Sequence, residues 1–224
     1  FRQFVPTTSV WRGDGPVAPL LPALRDDIDA VTFTPLGRDA TMTWAQSLQV
    51  NYTDAIVVLH RGRIVYERYF GVMGPHQPHM AMSVTKSIFG TLGAMLVAEG
   101  KLEENALVTK YIPELAGTAY GDATVRQVLD MTIGVKYSEN YADPQAEIWQ
   151  YARAGGVFPR PPGYSGPTSF YGYLRTLQKE GGHGQAFAYK SVNTDVLGWL
   201  IRRATGQTVG QVLSERVCQN LGAE

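Results

Sequence analysis

The sequence predicts an α+β fold, because a β-hairpin pattern precedes one strongly apolar helix and then a mainly helical region. Two runs rich in β-branched and aromatic residues, 54–60 and 64–70, flank a short glycine-containing turn at 61–63, as in a hairpin. Residues 83–99 repeat apolar side chains at the helical period, and Gly100 is a natural helix C-terminus. So many of these side chains are apolar or small that we expect the helix to be buried on most sides.

The first part of the chain resembles an arm rather than a domain. Residues 1–50 are rich in Pro, Gly and Thr, and only a short helix near 20–31 is predicted there. We therefore expect an N-terminal arm at 1–50 that packs on one domain at 51–224.

Three further helices are predicted towards the C-terminus. A capping box at 124–127 opens a helix over 125–131. Residues 193–195 are expected to cap a helix that ends at Gly206, and the last helix is predicted over 208–221.

Composition and charge exclude several classes of partner. The chain has 224 residues, 44% of them hydrophobic, with 20 Lys+Arg against 20 Asp+Glu. This zero net charge argues against nucleic-acid binding and against a polybasic membrane patch, and no run reaches transmembrane length. Cys218 is the only cysteine, which excludes an intrachain disulfide and a zinc-finger site. The chain starts at Phe1 without a visible signal peptide, so we expect a trimmed N-terminus, and both cytoplasm and periplasm stay open.

Ser83 and Lys86 form the motif that carries chemistry. Their i, i+3 spacing places a hydroxyl and an amine on one face of a helix's first turn. A serine hydroxyl needs a neighbouring base, and burial together with the positive helix N-terminus can make lysine that base. Free N–H groups at the same helix end can hold an oxyanion.

The alternative interpretation is that Ser83 is an N-cap and Lys86 a solvated surface residue. Against it, a lysine in the first turn opposes the helix dipole, where Asp or Glu is favoured. Tyr189, just before the helix predicted at 193–204, could move a proton to a leaving group, although most of the 12 tyrosines are expected to pack.

Several stretches together resemble one known family. Residues 82–87 resemble the nucleophile motif of the class C β-lactamase, DD-peptidase and family VIII esterase group, and 108–115, 124–134 and 187–199 agree with it in order and spacing. The resemblance covers most of 54–224. It implies a β-lactamase/DD-peptidase-like fold, in which an antiparallel sheet is flanked by helices and the active site lies in a cleft beside a helical subdomain.

Within that family, residues 137–144 and the Tyr-x-Ser-x-Asn-Thr-Asp stretch at Tyr189 are similar to the 6-aminohexanoate-dimer hydrolases. The resemblance implies that Ser83 is acylated, that its backbone N–H helps to bind the oxyanion, and that Lys86 accepts its proton. It implies that Tyr189 protonates the leaving group and then helps to activate the deacylating water. Tyr141 resembles the tyrosine that covers an amide substrate in those hydrolases.

Two departures from the family pattern bear on specificity and completeness. Ser191 stands at the third motif position, where most β-lactamases have Asn, so we expect it to face the substrate of an esterase or amidase. The family continues beyond the point where this chain stops at Glu224, into further strands and a second oxyanion donor. Because a two-stranded sheet alone is marginal, we expect completion by a missing C-terminal segment or a second chain.

The sequence thus predicts a serine hydrolase of a small ester or amide, such as an aminohexanoate oligomer, with no cofactor and no metal. A β-lactamase or DD-peptidase and a non-catalytic penicillin-binding-like module are the alternatives. No Gly-x-Ser-x-Gly motif occurs, and the four histidines lack metal-ligand spacing, so loop or surface positions are expected for them. Trp149 and Tyr151 fit a pocket wall and simple packing equally well.

Overall fold

The computed structural model describes residues 7–223, and their packing forms two compact units. One unit contains residues 16–80, and the other contains 7–15 together with 81–223. Within the described residues, the first unit holds the strands and one helix, and the second is helical apart from isolated bridges. The predicted hairpin followed by a mainly helical region is therefore confirmed, whereas the division into an arm at 1–50 and a domain at 51–224 stays a prediction.

The smaller unit is built on the predicted hairpin. Its elements are β1 (Thr32–Phe33), β2 (Met42–Thr43), α1 (Trp44–Val50), β3 (Ala55–His60) and β4 (Arg63–Tyr69). Strand β1 pairs with β2, and β3 pairs antiparallel with β4, from Ala55 opposite Tyr69 to His60 opposite Arg63. The turn between β3 and β4 has positive φ at both Arg61 (51°) and Gly62 (75°). A two-residue turn in which both residues have the left-handed backbone conformation is compatible with the right-handed twist of the paired strands.

The helix predicted near residues 20–31 is wrong, because this segment pairs with the hairpin instead. The N–H groups of Ala23 and Arg25 donate to the carbonyls of Ile64 and Val65 at 2.8 and 2.9 Å. Only Ile28–Ala30 forms a short 3-10 turn. The free N–H and C=O groups of an edge strand can pair with an extended segment. Such pairing cannot be predicted from the spacing of apolar residues within the segment itself.

Helix α7 is the central element of the larger unit. The helices of this unit are α2 (Val84–Ala98), α3 (Val108–Tyr111), α4 (Val125–Leu129), α5 (Glu147–Ala154), α6 (Phe170–Leu174), α7 (Ser191–Thr205), α8 (Val209–Leu213) and α9 (Gln219–Leu221). Helix α7 contacts α2, α3, α4, α6 and α8. Its apolar residues Val192, Val196, Leu200 and Ile201 are fully buried. Burial of these side chains, rather than intrinsic helix propensity, therefore stabilises the helix.

The start of α7 differs from the prediction. The helix begins at Ser191, before the predicted cap, and Asn193 lies inside it. The Asn193 side chain is buried and accepts a hydrogen bond from the Tyr120 hydroxyl at 2.8 Å, so it serves tertiary packing instead of capping. The predicted end is confirmed, because Gly206 is left-handed with φ 70°.

The two other C-terminal helices are shorter than predicted. The capping box between Thr124 and Gln127 is confirmed, but α4 ends at Leu129, and Met131 has a positive φ of 52°. The helix predicted over 208–221 is interrupted by a π-helical turn at Ser214–Cys218. Within that turn the Ser214 hydroxyl donates to the carbonyl of Trp11, a contact that the local sequence does not encode.

Helix α2 is buried along one stripe and not on most sides, which corrects the prediction. Leu92, Gly93 and Leu96 are buried, whereas Val84 is 65% exposed. Its end is as predicted, with Gly100 left-handed at φ 69°. The large number of apolar residues misled the prediction, because α7 is the main helix that packs on α2 and it covers one side.

His183 lies in a loop, as expected, but its side chain is not on the surface. Its side chain is only 5% exposed, its Nδ1 accepts from the Gly134 N–H at 3.0 Å, and its Nε2 lies 3.0 Å from a carboxylate oxygen of Asp122. Lys179 pairs with the same carboxylate, and these hydrogen bonds lower the pKa of Asp122 to about 2. The imidazole therefore connects its own loop to the loops that contain Asp122 and Gly134.

None of the helices within residues 7–223 has the length and hydropathy needed to span a membrane. In the same part of the chain, no group of three His, Cys, Asp or Glu is arranged to hold a metal ion.

The close packing of α2 predicts opposite effects for two glycine substitutions on that helix. A β-carbon at Gly93 would lie 2.9 and 3.0 Å from Leu129 and Leu197, whereas one at Gly90 would meet nothing within 4 Å. We expect Gly90→Ala to stabilise the fold by about 0.5–1 kcal/mol through helix propensity. We expect Gly93→Ala to lose about 1 kcal/mol through overpacking. Urea unfolding midpoints measure both, and equal stabilisation by the two variants would contradict close packing at Gly93.

Candidate active site

Ser83 and Lys86 lie at the exposed start of α2 and contact each other. Lys86 Nζ is 3.0 Å from Ser83 Oγ and donates a hydrogen bond to it. Ser83 is the residue before the helix, but its side chain caps no backbone N–H. The geometry thus disagrees with the plain N-cap interpretation and matches the predicted pairing of a hydroxyl with an amine.

The backbone leading into α2 is strained just before Ser83. Met82 has φ 44°, in the left-handed region that costs a non-glycine residue about 1–2 kcal/mol. Tight turns hold this conformation, because the N–H groups of Val84, Thr85 and Lys86 donate to the carbonyls three residues earlier at 2.9, 3.2 and 3.0 Å. The strain therefore presents Ser83 at the helix end, as strained residues do at many functional sites.

Tyr189 lies beside the same pair. Lys86 Nζ is 4.8 Å from the centroid of the Tyr189 ring, and Tyr189 is 46% exposed. Two hydrogen bonds hold the segment that carries Tyr189. The Ala188 N–H donates to the Met131 carbonyl at 2.9 Å, and Lys190 Nζ donates to the Val135 carbonyl. Three of the five predicted site residues are thus assembled, and their catalytic roles stay predictions.

The other two predicted residues lie on neighbouring elements. Ser191 is the first residue of α7, and its N–H donates to the carboxylate of Glu139. Tyr141 is 65% exposed and lines a pocket of about 460 Å³. The residues that line this pocket do not include Ser83 or Lys86. Tyr141 is therefore in a position to contact a bound molecule, although its role as a substrate contact stays a prediction.

The two ambiguous aromatic residues on α5 have different environments. Trp149 lines the pocket with Tyr141. Tyr151 packs instead against Tyr137, Tyr173 and Phe170 in a cluster of rings. Burial raises the pKa of the Tyr151 hydroxyl above its usual range, so this phenol stays neutral.

Asp195 is the site residue that sequence reasoning missed, since it was treated only as a helix cap. Burial raises the pKa of its carboxyl to about 6, while the Tyr151 hydroxyl and the Lys86 ammonium act in the opposite direction and the charge of Glu139 adds to the rise. Its Oδ2 is buried and makes no hydrogen bond within residues 7–223. The amine that contacts Ser83 therefore acts on the pKa of a buried carboxyl on α7. The sequence signal that could have revealed it is an acidic residue directly before the apolar run Val196–Ile201 of the helix.

The raised pKa of Asp195 predicts a pH-dependent stability. The carboxyl titrates near pH 6 in the folded chain and near 3.8 when unfolded, so the folded state holds the extra proton between these values. Stability therefore falls as pH rises from about 4 to 6. We expect Asp195→Asn to remove this fall and to be more stable than the parent at pH 8 by on the order of 3 kcal/mol.

Urea unfolding at pH 4.5 and pH 8 measures the effect of Asp195→Asn. The exposed Asp14, in the same unit, supplies a matched control as Asp14→Asn, which should keep the parent's pH dependence. An unchanged pH dependence in Asp195→Asn would show that the carboxyl is solvated.

Comparisons with known proteins identify the family of the chain. The beta-lactamase family profile matches residues 30–224. The 6-aminohexanoate-dimer hydrolase of Paenarthrobacter ureafaciens is 37% identical over 222 residues, which are 99% of this chain and 54% of that protein. Esterase EstB of Burkholderia gladioli is 31% identical over 188 residues, which are 75% of this chain and 44% of that protein.

A solved structure supports the same fold. A protein provisionally named a 6-aminohexanoate-dimer hydrolase from Bacillus anthracis has a TM-score of 0.87 and 30% identity, covering 99% of this chain and 57% of that one. The chain thus spans about half the length of the relatives it matches. The predicted β-lactamase/DD-peptidase-like fold and the resemblance to 6-aminohexanoate-dimer hydrolases are both confirmed. The chain belongs to the beta-lactamase family.

Proposed function

We propose that this chain carries the nucleophile of a serine hydrolase that cleaves a small ester or a linear amide. The observation that carries the proposal is the 3.0 Å contact between Lys86 Nζ and Ser83 Oγ at the exposed start of a helix. An amine at hydrogen-bond distance is the base that a serine hydroxyl needs. Relatives named as an amide hydrolase and as an esterase support this class of reaction.

In the proposed reaction, Ser83 Oγ attacks the carbonyl carbon while its proton passes to Lys86, which must be neutral at that moment. The Ser83 N–H is one donor for the oxyanion, since no acceptor within residues 7–223 takes it. When the tetrahedral intermediate collapses, the bond to the leaving group breaks and Tyr189 protonates that group. Water then attacks the ester on Ser83, and the reverse proton transfers release the acid and restore the serine.

Tyr189 is assigned to proton transfer because its ring lies beside Lys86, 4.8 Å from Nζ. Two further predicted residues, Ser191 and Tyr141, are assigned to substrate contact. Ser191 supports an esterase or amidase over a β-lactamase, because it replaces the Asn that most β-lactamases carry.

The nucleophile is tested with a fluorophosphonate probe, which labels activated serines. We expect the probe to label the wild-type protein at Ser83, as located by mass spectrometry, and to label Ser83→Ala no longer. Ser87→Ala is the matched control on the same exposed helix turn and should be labelled like wild type. Turnover of p-nitrophenyl butyrate is measured on the same samples.

Each outcome of the labelling experiment is informative. Loss of label in Ser83→Ala but not in Ser87→Ala supports the assignment of Ser83. A folded wild-type protein without any label would contradict it and would favour a non-catalytic module. Nitrocefin turnover faster than that of the butyrate ester would instead indicate a β-lactamase.

The proposed role of Tyr189 predicts that its removal affects amides more than activated esters. An amine leaving group must be protonated, whereas p-nitrophenolate leaves without a proton. We expect Tyr189→Phe to lower kcat for a linear amide by about 100-fold or more, the usual size of a general-acid effect, and to lower kcat for p-nitrophenyl butyrate much less.

The exposed Tyr52 supplies the control for Tyr189, and Tyr52→Phe should leave both rates unchanged. Equal losses for amide and ester in Tyr189→Phe would indicate that Tyr189 only positions Lys86.

A further inference from the structure

A second pocket lies between α2, α6, α7 and α8 in the larger unit. Its volume is about 360 Å³, which is enough for a small organic molecule. Its walls share no residue with the pocket that Tyr141 lines, and they do not include Ser83, Lys86 or Tyr189. We call it the Asp195 pocket, and the side chains that line it are those of Phe89, Ser169, Phe170, Tyr171, Asp195 and Val209.

Three aromatic rings line the Asp195 pocket, and each is held by a close neighbour. The Tyr171 ring stacks on that of a tryptophan at 4.4 Å between centroids, and the Phe170 ring packs on that of Tyr151 at 4.6 Å. The Phe89 ring lies against Gly198, where an added β-carbon would be 2.7 Å from it. The faces of aromatic rings attract organic cations, so the walls favour a positively charged ligand.

Asp195 supplies the only charge among the described residues that line this pocket. Within residues 7–223, no Lys, Arg or His forms an ion pair with its carboxylate, and Oδ2 makes no hydrogen bond. The Lys86 ammonium, whose charge acts on Asp195, donates to Ser83 Oγ at 3.0 Å instead. A carboxyl without a donor costs free energy, which a ligand with a positive charge and N–H groups would recover.

One carboxyl among aromatic rings favours an organic ammonium ion over other small ligands. Ca²⁺ and Mg²⁺ take about six to eight oxygen ligands, whereas one carboxyl lines this pocket. The Ser169 hydroxyl already accepts a hydrogen bond from the Gly172 N–H at 3.0 Å. A neutral apolar molecule would leave the carboxyl unpaired. An alkylammonium ion can donate to the carboxyl while its charge faces the rings.

We propose that the Asp195 pocket binds a small alkylammonium ion, at a site separate from the proposed reaction. The ammonium group pairs with the Asp195 carboxylate, and the ion contacts the rings of Phe89, Phe170 and Tyr171. Binding requires the carboxylate form of Asp195 and does not require acylation of Ser83.

Pairing with a carboxylate makes the affinity depend on pH. Burial raises the pKa of Asp195 to about 6. The groups that face it from other elements are Tyr151 on α5 and Lys86 on α2, which lower this pKa, and Glu139 in the loop before α5, which raises it. Because the carboxyl is mostly protonated at pH 4.5, we expect an alkylammonium ion to bind at least about tenfold more tightly at pH 8.

Calorimetric titration with n-butylammonium chloride tests the site. n-Butanol is the neutral counterpart of similar size, and KCl supplies an inorganic cation at the same ionic strength. We expect n-butylammonium to bind at least about tenfold more tightly than either, as for a charge-assisted contact. Asp195→Asn should weaken its binding at least about tenfold and remove the pH dependence. Asp14→Asn, an exposed acid outside the pocket, is the control and should bind like wild type.

Tyr171→Leu tests the aromatic wall separately from the charge. Loss of one cation–π contact at a partly exposed ring is expected to weaken n-butylammonium binding about two- to fivefold, with n-butanol unaffected. Tyr141→Leu removes an exposed ring from the other pocket and is the matched control, so it should keep the wild-type affinity.

Several outcomes would overturn the proposal. They are no binding of n-butylammonium, equal binding of n-butanol or K⁺, and an unchanged affinity in Asp195→Asn. A loss of affinity in Tyr141→Leu but not in Tyr171→Leu would also overturn it, because the ion would then lie in the other pocket. The titration needs no turnover, so its result does not depend on whether the fluorophosphonate labels Ser83.

Discussion

The close approach of α2 to α7 is the constraint on which the rest of the larger unit depends. A β-carbon at Gly93 of α2 would crowd Leu197, and one at Gly198 of α7 would lie 2.7 Å from the Phe89 ring. Helices pack this tightly only where small residues let a neighbour's side chains in. The start of α2 carries Ser83, and the segment before α7 carries Tyr189. The same glycine-based contact therefore brings together groups that lie more than 100 residues apart in the chain.

Charge placement around this contact links stability to chemistry. Asp195 on α7 is buried near Lys86 on α2, and its ionisation costs stability because burial opposes the charged form. The proposed reaction needs Lys86 to alternate between neutral and charged forms. The Lys86 ammonium and the hydroxyl of Tyr151 both lower the pKa of that carboxyl and so limit the cost of ionising it. The unit thus retains a destabilising group at the place where proton transfer is proposed.

The segment from Tyr137 to Arg160 extends the site away from the reacting pair. Glu139 ties it to the first turn of α7, and Arg160 fixes the loop that follows α5. Between these two anchors, Tyr141, Trp149 and Arg153 line a pocket of about 460 Å³. Family membership specifies the nucleophile motif, but a segment of this kind differs in sequence more readily than the core does. Substrate choice is therefore expected to lie in this segment.

The sequence by itself determined the features that depend on local pattern. Two runs rich in β-branched and aromatic residues around a glycine turn predicted the β3–β4 hairpin. Apolar residues repeated at the helical period predicted α2. The i, i+3 spacing of Ser83 and Lys86 on that helix predicted that their side chains meet. Tertiary structure alone decided the rest. The 21–25 segment pairs with an edge strand, Asn193 bonds a distant tyrosine, and His183 joins three loops. The pKa of Asp195 is set by burial and by neighbours remote in sequence. The physical reason is that burial and partner choice for a polar group are settled by contacts between distant segments, which no local periodicity encodes.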